Sequence, residues 1–241
     1  MQSYEMDAAI QASDAGRRLA HRQPLTTDVY EVVIDMLMNH SLGPGMRLNI
    51  DSLARTLGVS PTPVREALAR VESEGLIIKA PQRGYTVAPL IGLEQLHELI
   101  EMRLLIEPPV AAKAASLAST ADASELRAFA RTGGAGEDNA IAANRLDMMY
   151  DAHFHDMVAS IGGNQLIRET LSRLRSHLHM YRLYHHAGQA AVTKPEHLAI
   201  VKAIAKRDSD GAHAAMEAHL TNALDRLDVV FASSQNPDVA Q

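Results

Sequence analysis

The hydrophobic pattern of the first third of the chain predicts three helices followed by a β-hairpin. Apolar residues fall three and four positions apart in three consecutive segments, as they do on one face of an α-helix. These segments are 26–40, 50–57 and 61–73. Two shorter apolar segments, 76–79 and 85–88, follow and are joined by a tight polar loop. This order of elements predicts a winged helix-turn-helix over residues 25–90.

Turn-forming and capping residues predict where these helices begin and end. Gly43-Pro44-Gly45 turns the chain after the first helix. Asn49 or Asp51 is expected to cap the second helix. Ser60 is expected to cap the third, with Pro61 at its first position, where a missing N–H costs no hydrogen bond.

From residue 91 onward the pattern is helical almost throughout. The predicted helices are 93–118, 122–132, 138–161, 164–187, 192–207 and 209–233. Pro108-Pro109 lies inside the first of them and is expected to kink it. The chain is therefore predicted to be mostly α: an N-terminal winged helix-turn-helix plus a C-terminal all-α antiparallel helix bundle over residues 91–233. Residues 1–24 are expected to form a flexible extension and residues 234–241 a disordered tail.

Composition narrows the class of protein. Apolar residues make up 46% of the chain and aromatic residues 4%, which suits packed helices better than a β-sandwich. Cysteine is absent, which excludes disulfides, thiolate zinc sites and cysteine nucleophiles. No segment approaches the ~18 apolar residues of a membrane span, and the N-terminal sequence is unlike a secretory signal. A cytoplasmic protein without a membrane partner is expected.

The charge balance leaves DNA binding open at this point. The formal net charge is −6, so DNA binding needs a local basic patch and, by preference, two copies of the chain. Between Leu25 and Pro89 there are six basic and seven acidic residues. The charge pattern is therefore equally consistent with a small αβ domain that has ordinary surface arginines and does not bind DNA. If the segment binds DNA, the start of the third helix is expected to contact base edges in the major groove. The candidate DNA-binding residues from this pattern are Arg55, Ser60, Thr62, Arg65, Arg70 and Arg83.

Several short motifs in this region match a known family in order and spacing. They are Gly43-Pro44-Gly45, Leu57-Gly58-Val59-Ser60, Pro63-Val64-Arg65-Glu66-Ala67-Leu68, Glu74-Gly75-Leu76 and Arg83-Gly84. The segment resembles the GntR family of bacterial transcription regulators, and the resemblance implies that it binds double-stranded operator DNA. It adds Pro63 and Gly84 to the candidate DNA-binding residues. Family members often have an arginine that contacts DNA where this chain has Pro61, so the operator sequence cannot be carried over.

Histidines are concentrated in the C-terminal part of the chain. Ten of the 12 lie at or after His97. Asp151 and His155 are four positions apart on one predicted helix, while His197 and His219 lie on two later helices. One carboxylate and three imidazoles from facing helices would suit zinc, nickel or manganese. The alternative is that each is an ordinary surface or core residue, as the other histidines are taken to be.

The surroundings of these residues carry a second resemblance. The matching motifs are Asp151-Ala152-His153-Phe154-His155, Gly163-Asn164, Glu196-His197 and His219-Leu220. Residues 93–233 resemble the FCD effector domain of the FadR subfamily, and the six predicted helices indicate its shorter, VanR-like branch. The resemblance implies a homodimer in which Asp151, His155, His197 and His219 hold a divalent metal ion, with zinc favoured and nickel or manganese as alternatives.

The same resemblance implies a small carboxylate effector bound next to the metal. Arg103 matches the family position that holds such a ligand, and its alternative role is a helix salt bridge to Glu107. Asn222, Arg175 and His179 are further candidates for lining the effector pocket.

Together these features predict a DNA-binding transcription regulator, with repression favoured over activation, rather than an enzyme. Effector binding at the metal is expected to shift the packing of the helices, and through it the spacing of two winged domains in a dimer. Two alternatives remain: a purely structural metal, and a metal-dependent hydrolase. The hydrolase is disfavoured because the sequence lacks an HExxH motif and an evident general base beside the ligands.

Overall fold

The computed structural model of the chain describes residues 25–80, 84–132, 140–174, 179, 182 and 189–234. The chain divides into two compact units, Met1–Leu90 and Ile91–Gln241. The predicted flexible extension lies outside the described residues, as does the predicted tail beyond Ser234.

The first unit is the winged helix-turn-helix that the sequence predicts. Its elements are α1 (Leu25–Met38), β1 (Arg47–Leu48), α2 (Ile50–Leu57), α3 (Pro61–Ser73), β2 (Ile77–Ala80) and β3 (Gly84–Val87). Its core is built from aliphatic side chains on the inner faces of the helices and from the hairpin. The completely buried members include Val29, Val33, Met36, Leu53, Val64, Leu68, Val71 and Leu76.

The helix ends of this unit follow local chemistry. Asn49 caps α2, and its side-chain oxygen accepts a hydrogen bond from the Ser52 N–H at 2.9 Å. Gly58 ends α2 in the left-handed region (φ 68°), which a residue with a Cβ adopts only at a cost. Ser60 has the extended backbone of an N-cap, but its hydroxyl makes no capping hydrogen bond. Pro61 occupies the first turn of α3, as predicted.

The small sheet differs from the prediction by one strand. Its order is β1-β3-β2, and both pairings are antiparallel. β1 was not predicted, because two residues give no alternating pattern and the strand forms through pairing with β3, Arg47 with Thr86 and Leu48 with Tyr85. Gly84 opens β3 at φ +79°, and a Cβ there would lie 3.1 Å from the Leu48 backbone oxygen. Both the backbone angle and the neighbouring strand therefore favour glycine at this position.

The second unit is a bundle of helices, again as predicted. Its described helices are α4 (Leu93–Leu117), α5 (Thr120–Thr132), α6 (Ala140–Ile161), α7 (Gln165–Leu174), α8 (Gln189–Ala205) and α9 (Ser209–Ser234). α4 continues through Pro108 and Pro109 without a break in the helix. α8 begins three residues before the predicted start. The segment 175–188, predicted to continue α7, contains only His179 and Arg182 among the described residues.

The core of this unit is aliphatic and lies between α4, α5, α6, α8 and α9. Its buried members include Ala111, Ala114, Leu126, Phe154, Val158, Ile200, Ile204, Met216 and Leu220. Small residues allow close helix approach: a Cβ on Gly162 would lie 2.9 Å from Val110 Cγ1 and 3.2 Å from the Val110 backbone oxygen. Within the described part of the chain, no helix combines the length and hydrophobicity needed to cross a membrane.

Candidate metal centre and DNA-binding surface

Four side chains from three helices of the second unit converge on one point. Asp151, His155, His197 and His219 each offer a ligand atom, and these atoms all lie within 4.8 Å of one another. His155 Nε2 is 3.2 Å from His219 Nε2, and Asp151 Oδ1 is 3.4 Å from His197 Nε2. Bonds of about 2.1 Å to a first-row ion place two ligand atoms at most about 4.2 Å apart. The two shorter spacings fit one ion directly, and a spacing near 4.8 Å needs a small side-chain movement.

The helices explain the convergence. Asp151 and His155 are one turn apart on α6, and Asp151 Oδ1 lies 3.7 Å from His155 Nε2. α8 supplies His197 and α9 supplies His219, and both side chains are buried, at 0% and 3% exposed. The site is therefore set inside the bundle and held by its packing rather than by loops.

His197 is buried without the hydrogen bonds that an imidazole normally makes. Among the described residues, neither of its ring nitrogens has a hydrogen-bond partner. Its ring stacks on Phe154, with centroids 3.9 Å apart and planes 12° from parallel. Burial lowers the pKa of His197 to about 4, so the ring is neutral at pH 7 and Nε2 can donate a lone pair to a metal. An unpaired buried nitrogen is a cost that a bound cation would remove.

Two glutamates lie behind the other two imidazoles. Glu107, on α4, has its Oε2 2.5 Å from His155 Nδ1. Glu196, on α8, has its Oε2 2.7 Å from His219 Nδ1. Each carboxylate thus faces the ring nitrogen that points away from the site, an arrangement that fixes the imidazole in protein metal centres.

The contacts with Glu107 and Glu196 favour His155 and His219 rings whose Nε2 atoms are hydrogen-bond acceptors. A neutral imidazole whose Nδ1 donates its proton to a carboxylate has an unprotonated Nε2. The two Nε2 atoms that face each other therefore both present lone pairs, alongside the Asp151 carboxylate. Such a cluster of acceptors in a buried site needs a donor or a cation. Arg103 Nη2 lies 3.3 Å from one of them, His155 Nε2, and a divalent metal ion would satisfy all four ligand atoms together, so these residues fit one.

The charges of the carboxylates support the same conclusion. Burial would raise the pKa of Asp151, but His155 and then His197 beside it hold the pKa below its usual range. Burial would likewise raise the pKa of Glu196, but hydrogen bonds from His219 and Arg226 lower it to about 2. Both groups are ionised at neutral pH, as metal binding requires.

Arg103 makes the helix salt bridge that was its alternative role, and it also borders the site. Its Nε donates to Glu107 Oε1 at 2.5 Å. Its Nη2 lies 3.3 Å from His155 Nε2, one of the candidate ligand atoms. The side chain is buried, and the guanidinium is therefore fixed beside the point where the four ligand atoms converge.

The other three residues predicted to line the effector pocket lie in different positions relative to the four candidate ligands. Asn222 is exposed and donates from Nδ2 to Glu196 Oε1 at 2.9 Å, so it contacts the outer carboxylate. Burial, and then the charge of Arg182, lowers the pKa of His179, but no described contact joins His179 to the four ligands. Arg175 lies outside the described residues.

Most of the predicted DNA-binding residues are exposed on the first unit. Ser60 and Thr62 lie at the start of α3, followed by Arg65 one turn later, and Arg55 lies on α2. Backbone N–H groups at the start of α3 have no intrahelical partner and suit a phosphate oxygen. Gly84 is exposed at the end of the hairpin loop, whereas Arg83 lies outside the described residues.

Arg70 and Pro63 differ from the other DNA-binding candidates. The Arg70 guanidinium stacks on the Tyr30 ring, 3.6 Å from its centroid, and its Nε lies 3.7 Å from Glu74 Oε1. Glu74 is buried and accepts hydrogen bonds from the Tyr30 hydroxyl at 2.8 and 2.9 Å. Arg70 therefore links α3 to α1. Pro63 is buried, and its contact with DNA stays a prediction.

Sequence reasoning did not assign the outer residues of the metal centre. Glu107 entered only as a salt-bridge partner, and Arg226 and the role of Glu196 were missed. A local signal exists for Arg226, because His219, Asn222 and Arg226 follow one another at helical spacing on α9. No comparable signal connects Glu107 with His155, since they lie on different helices.

Comparison with protein families identifies both units. Residues 25–87 match the model described as "Bacterial regulatory proteins, gntR family". Residues 98–222, more than half of the chain, match the FCD domain. The two matched segments lie within the two compact units, one in each.

Curated relatives resemble the chain over most of its length. It is 29% identical over 202 residues to the HTH-type transcriptional repressor RspR of Escherichia coli K12, covering 82% of this chain and 86% of the relative. It is 26% identical over 192 residues to the Nta operon transcriptional regulator of Aminobacter aminovorans, covering 80% of this chain and 89% of the relative.

Solved structures show the same fold. The chain superposes on Escherichia coli McbR/YncC with a TM-score of 0.65 at 22% identity, covering 87% of this chain and all of that one. It superposes on a GntR regulator from Rhodococcus sp. RHA1 with a TM-score of 0.61 at 22% identity, covering 85% of this chain and 97% of the other.

Proposed function

The chain belongs to the GntR family of DNA-binding transcription regulators and contains an FCD domain, and from this premise we propose that it is a homodimeric repressor controlled by a small carboxylate bound at a metal ion. As a member of this family it is a regulator and not an enzyme, so the hydrolase alternative is set aside. The observation that supports the metal most strongly is the convergence of four ligand atoms within 4.8 Å.

The ligands of the metal are Asp151, His155, His197 and His219. The donor set of one carboxylate and three imidazoles favours zinc, with nickel or manganese as alternatives. When bound, the ion supplies open coordination positions that an anionic ligand can occupy. The protein holds the three imidazoles and the carboxylate in place and excludes bulk water from His197 and His219, which are buried.

The charges around the site favour an anionic ligand once the ion is present. Three carboxylates lie at the site, those of Glu107, Asp151 and Glu196, and two guanidiniums accompany them, those of Arg103 and Arg226. A divalent cation added to this set leaves a net positive charge, which attracts a carboxylate. Arg103 is placed to hold one end of that ligand, because its Nη2 lies 3.3 Å from a candidate metal-ligand atom.

DNA is bound by the first unit, with α3 as the reading helix. Ser60, Thr62 and Arg65 are exposed at its start and are proposed to contact bases or phosphates. Arg55 and Gly84 are proposed to contact the DNA backbone from α2 and the wing. The carboxylate would release the operator by binding more tightly to the conformation with low DNA affinity.

A thermal-shift screen of zinc-loaded protein against small carboxylates tests this proposal, with chelator-treated protein as the control. A ligand that binds only the folded state raises the melting temperature, by an amount set by its concentration relative to its Kd. We expect a carboxylate that stabilises the zinc-loaded protein, has no effect on the chelated protein, and lowers DNA affinity in a gel-shift assay.

A purely structural metal is the second candidate, and the burial of His197 and His219 favours it. In that case removing zinc would lower the melting temperature strongly, because the ion links α6, α8 and α9. No carboxylate would then stabilise either form, which would contradict effector control at this site.

A further inference from the structure

Two of the three imidazoles of the metal centre are each backed by the same three-residue arrangement. Behind His155, Glu107 Oε2 lies 2.5 Å from Nδ1, and Arg103 Nε donates to Glu107 Oε1 at 2.5 Å. Behind His219, Glu196 Oε2 lies 2.7 Å from Nδ1, and Arg226 Nη1 donates to Glu196 Oε1 at 2.8 Å. Each imidazole thus faces a carboxylate that an arginine holds in place.

We propose that Glu107 and Glu196 are positioning residues that direct the Nε2 atoms of His155 and His219 toward the metal. This inference rests on the proposed metal site and extends it to residues that do not touch the ion. Glu196 is hydrogen-bonded to His219 Nδ1, and Glu107 Oε2 lies 2.5 Å from His155 Nδ1. A carboxylate at Nδ1 favours the proton there and leaves Nε2 as the lone-pair donor. The arginine behind each glutamate fixes the carboxylate and so the plane of the imidazole.

The two glutamates come from different helices and complete the site in different ways. Glu107, on α4, connects that helix to the His155 ligand on α6. Glu196, on α8, lies next to the ligand His197 in the chain, and it reaches His219 on α9. Asn222 adds a further donor to Glu196, at 2.9 Å. Among the described residues, no carboxylate contacts Nδ1 of the third candidate ligand, His197, and its ring stacks on Phe154.

Glu196 is the better residue to test, because it is less buried than Glu107 and its replacement disturbs the core less. The Kd for Zn²⁺ is measured by competition with a chromophoric chelator for the full chain and its variants. Glu196→Ala is expected to weaken zinc binding 10–100-fold. Glu196→Gln keeps an oxygen that can accept from His219 Nδ1, and it should recover part of that loss.

Glu217→Ala is the matched control. Glu217 lies on α9 two residues before His219, on the other side of the helix; its side chain is 59% exposed and its described ionic partner is His213. Zinc affinity should be unchanged in this variant. Arg226→Ala should show a smaller loss than Glu196→Ala, because it frees the carboxylate without removing it.

The tautomer of His219 is a second measurement. It should change when Glu196 is replaced only if Glu196 positions the imidazole. Long-range ¹H–¹⁵N spectra of histidine-labelled, metal-free protein distinguish Nδ1–H from Nε2–H rings. We expect His219 to carry its proton on Nδ1 in the wild-type protein and to populate the Nε2–H form in Glu196→Ala.

The outcomes separate this inference from the proposed function. If the wild-type protein binds no zinc, both fail. Suppose instead that the wild-type protein binds zinc. If Glu196→Ala and a folded Glu107→Gln variant then bind zinc as tightly as the wild-type protein does, only the positioning role is overturned. An Nε2–H tautomer of His219 in the wild-type protein would also overturn it.

Discussion

His197 is completely buried, yet neither of its ring nitrogens has a hydrogen-bond partner among the described residues. A buried polar group left in this state costs about 1–3 kcal/mol. Folded proteins rarely retain such a cost without a use for it, and metal binding through Nε2 provides one. His197 is therefore expected to reduce the stability of the metal-free protein while serving as a metal ligand.

His197→Leu should separate these two effects. Without metal, we expect the variant to melt no lower than the wild-type protein, because leucine replaces an imidazole that lacks hydrogen bonds and keeps the packing against Phe154. With zinc, only the wild-type protein should gain in melting temperature. Differential scanning calorimetry with and without chelator measures both.

His213→Leu is the control for this comparison, because His213 lies on the surface of α9 with 45% of its side chain exposed. It should retain the full response to zinc. A large loss of stability in metal-free His197→Leu would contradict the account, since it would mean that the imidazole is well satisfied in the folded protein.

Sequence patterns indicated the candidate ligands but not the residues behind them. Asp151 and His155 are recognisable because a four-residue interval defines one helix face, whereas His197 and His219 stood on later helices and were supported by the family motifs. The contact of Glu107 with His155 depends on how α4 packs against α6, which no local pattern encodes. For the same reason Arg103 could be assigned to the site or to a salt bridge from sequence, while the structure gives it both contacts.

At the scale of elements, α3 combines residues with two different tasks. Arg65 is exposed near its start, whereas Arg70 stacks on Tyr30 of α1 and pairs with the buried Glu74. Sequence spacing treated both arginines alike, because both lie on the polar side of the helix. The distinction comes from α1, whose tyrosine fills the space beside Arg70.

Alanine substitutions should show this difference. Arg65→Ala is expected to weaken binding to a DNA fragment selected by the wild-type protein by about 1–3 kcal/mol, without changing the melting temperature. Arg70→Ala should instead reduce stability by about 0.5–1 kcal/mol through loss of the contact with Tyr30. Fluorescence anisotropy and thermal melts measure the two effects. If Arg70→Ala weakened DNA binding as much as Arg65→Ala and left stability unchanged, Arg70 would be a DNA contact after all.

The small sheet of the first unit, β1 to β3, contains one strand that could be predicted from the sequence only poorly. The helices of the first unit follow from apolar spacing, caps and turns, and β2 and β3 follow from their short apolar runs. β1 forms only by pairing with β3, which lies far along the chain, and so it had no local signal. Gly84 is the position at which that pairing requires a particular residue.

Gly84→Ala should therefore destabilise the first unit by more than about 1 kcal/mol, because alanine fits poorly at positive φ and its Cβ would press on the Leu48 oxygen. Gly43→Ala is the control: its nearest neighbour, the His40 oxygen, lies 3.8 Å from the added Cβ, an ordinary contact. Urea unfolding of the two variants gives the comparison. Equal stability of both would contradict the role assigned to Gly84.

At the scale of the whole molecule, the net charge of −6 opposes DNA binding by a single chain. In the proposed homodimer, two copies on neighbouring half-sites would overcome this, because the second reading helix would bind at a high effective concentration. Sedimentation equilibrium should accordingly give the mass of two chains, each 26.2 kDa, at concentrations where DNA is bound. A monomer that binds DNA with full affinity would contradict the proposed homodimer.

Metal analysis of the purified protein is the direct test of the proposed metal centre. We expect one divalent ion per chain for the wild-type protein, measured by inductively coupled plasma mass spectrometry after extensive dialysis. We expect its loss in His155→Ala and its retention in His213→Leu, whose histidine lies outside the site. A wild-type protein that binds no ion when zinc, nickel and manganese are supplied, or a His155→Ala variant that keeps a full complement, would contradict the metal centre.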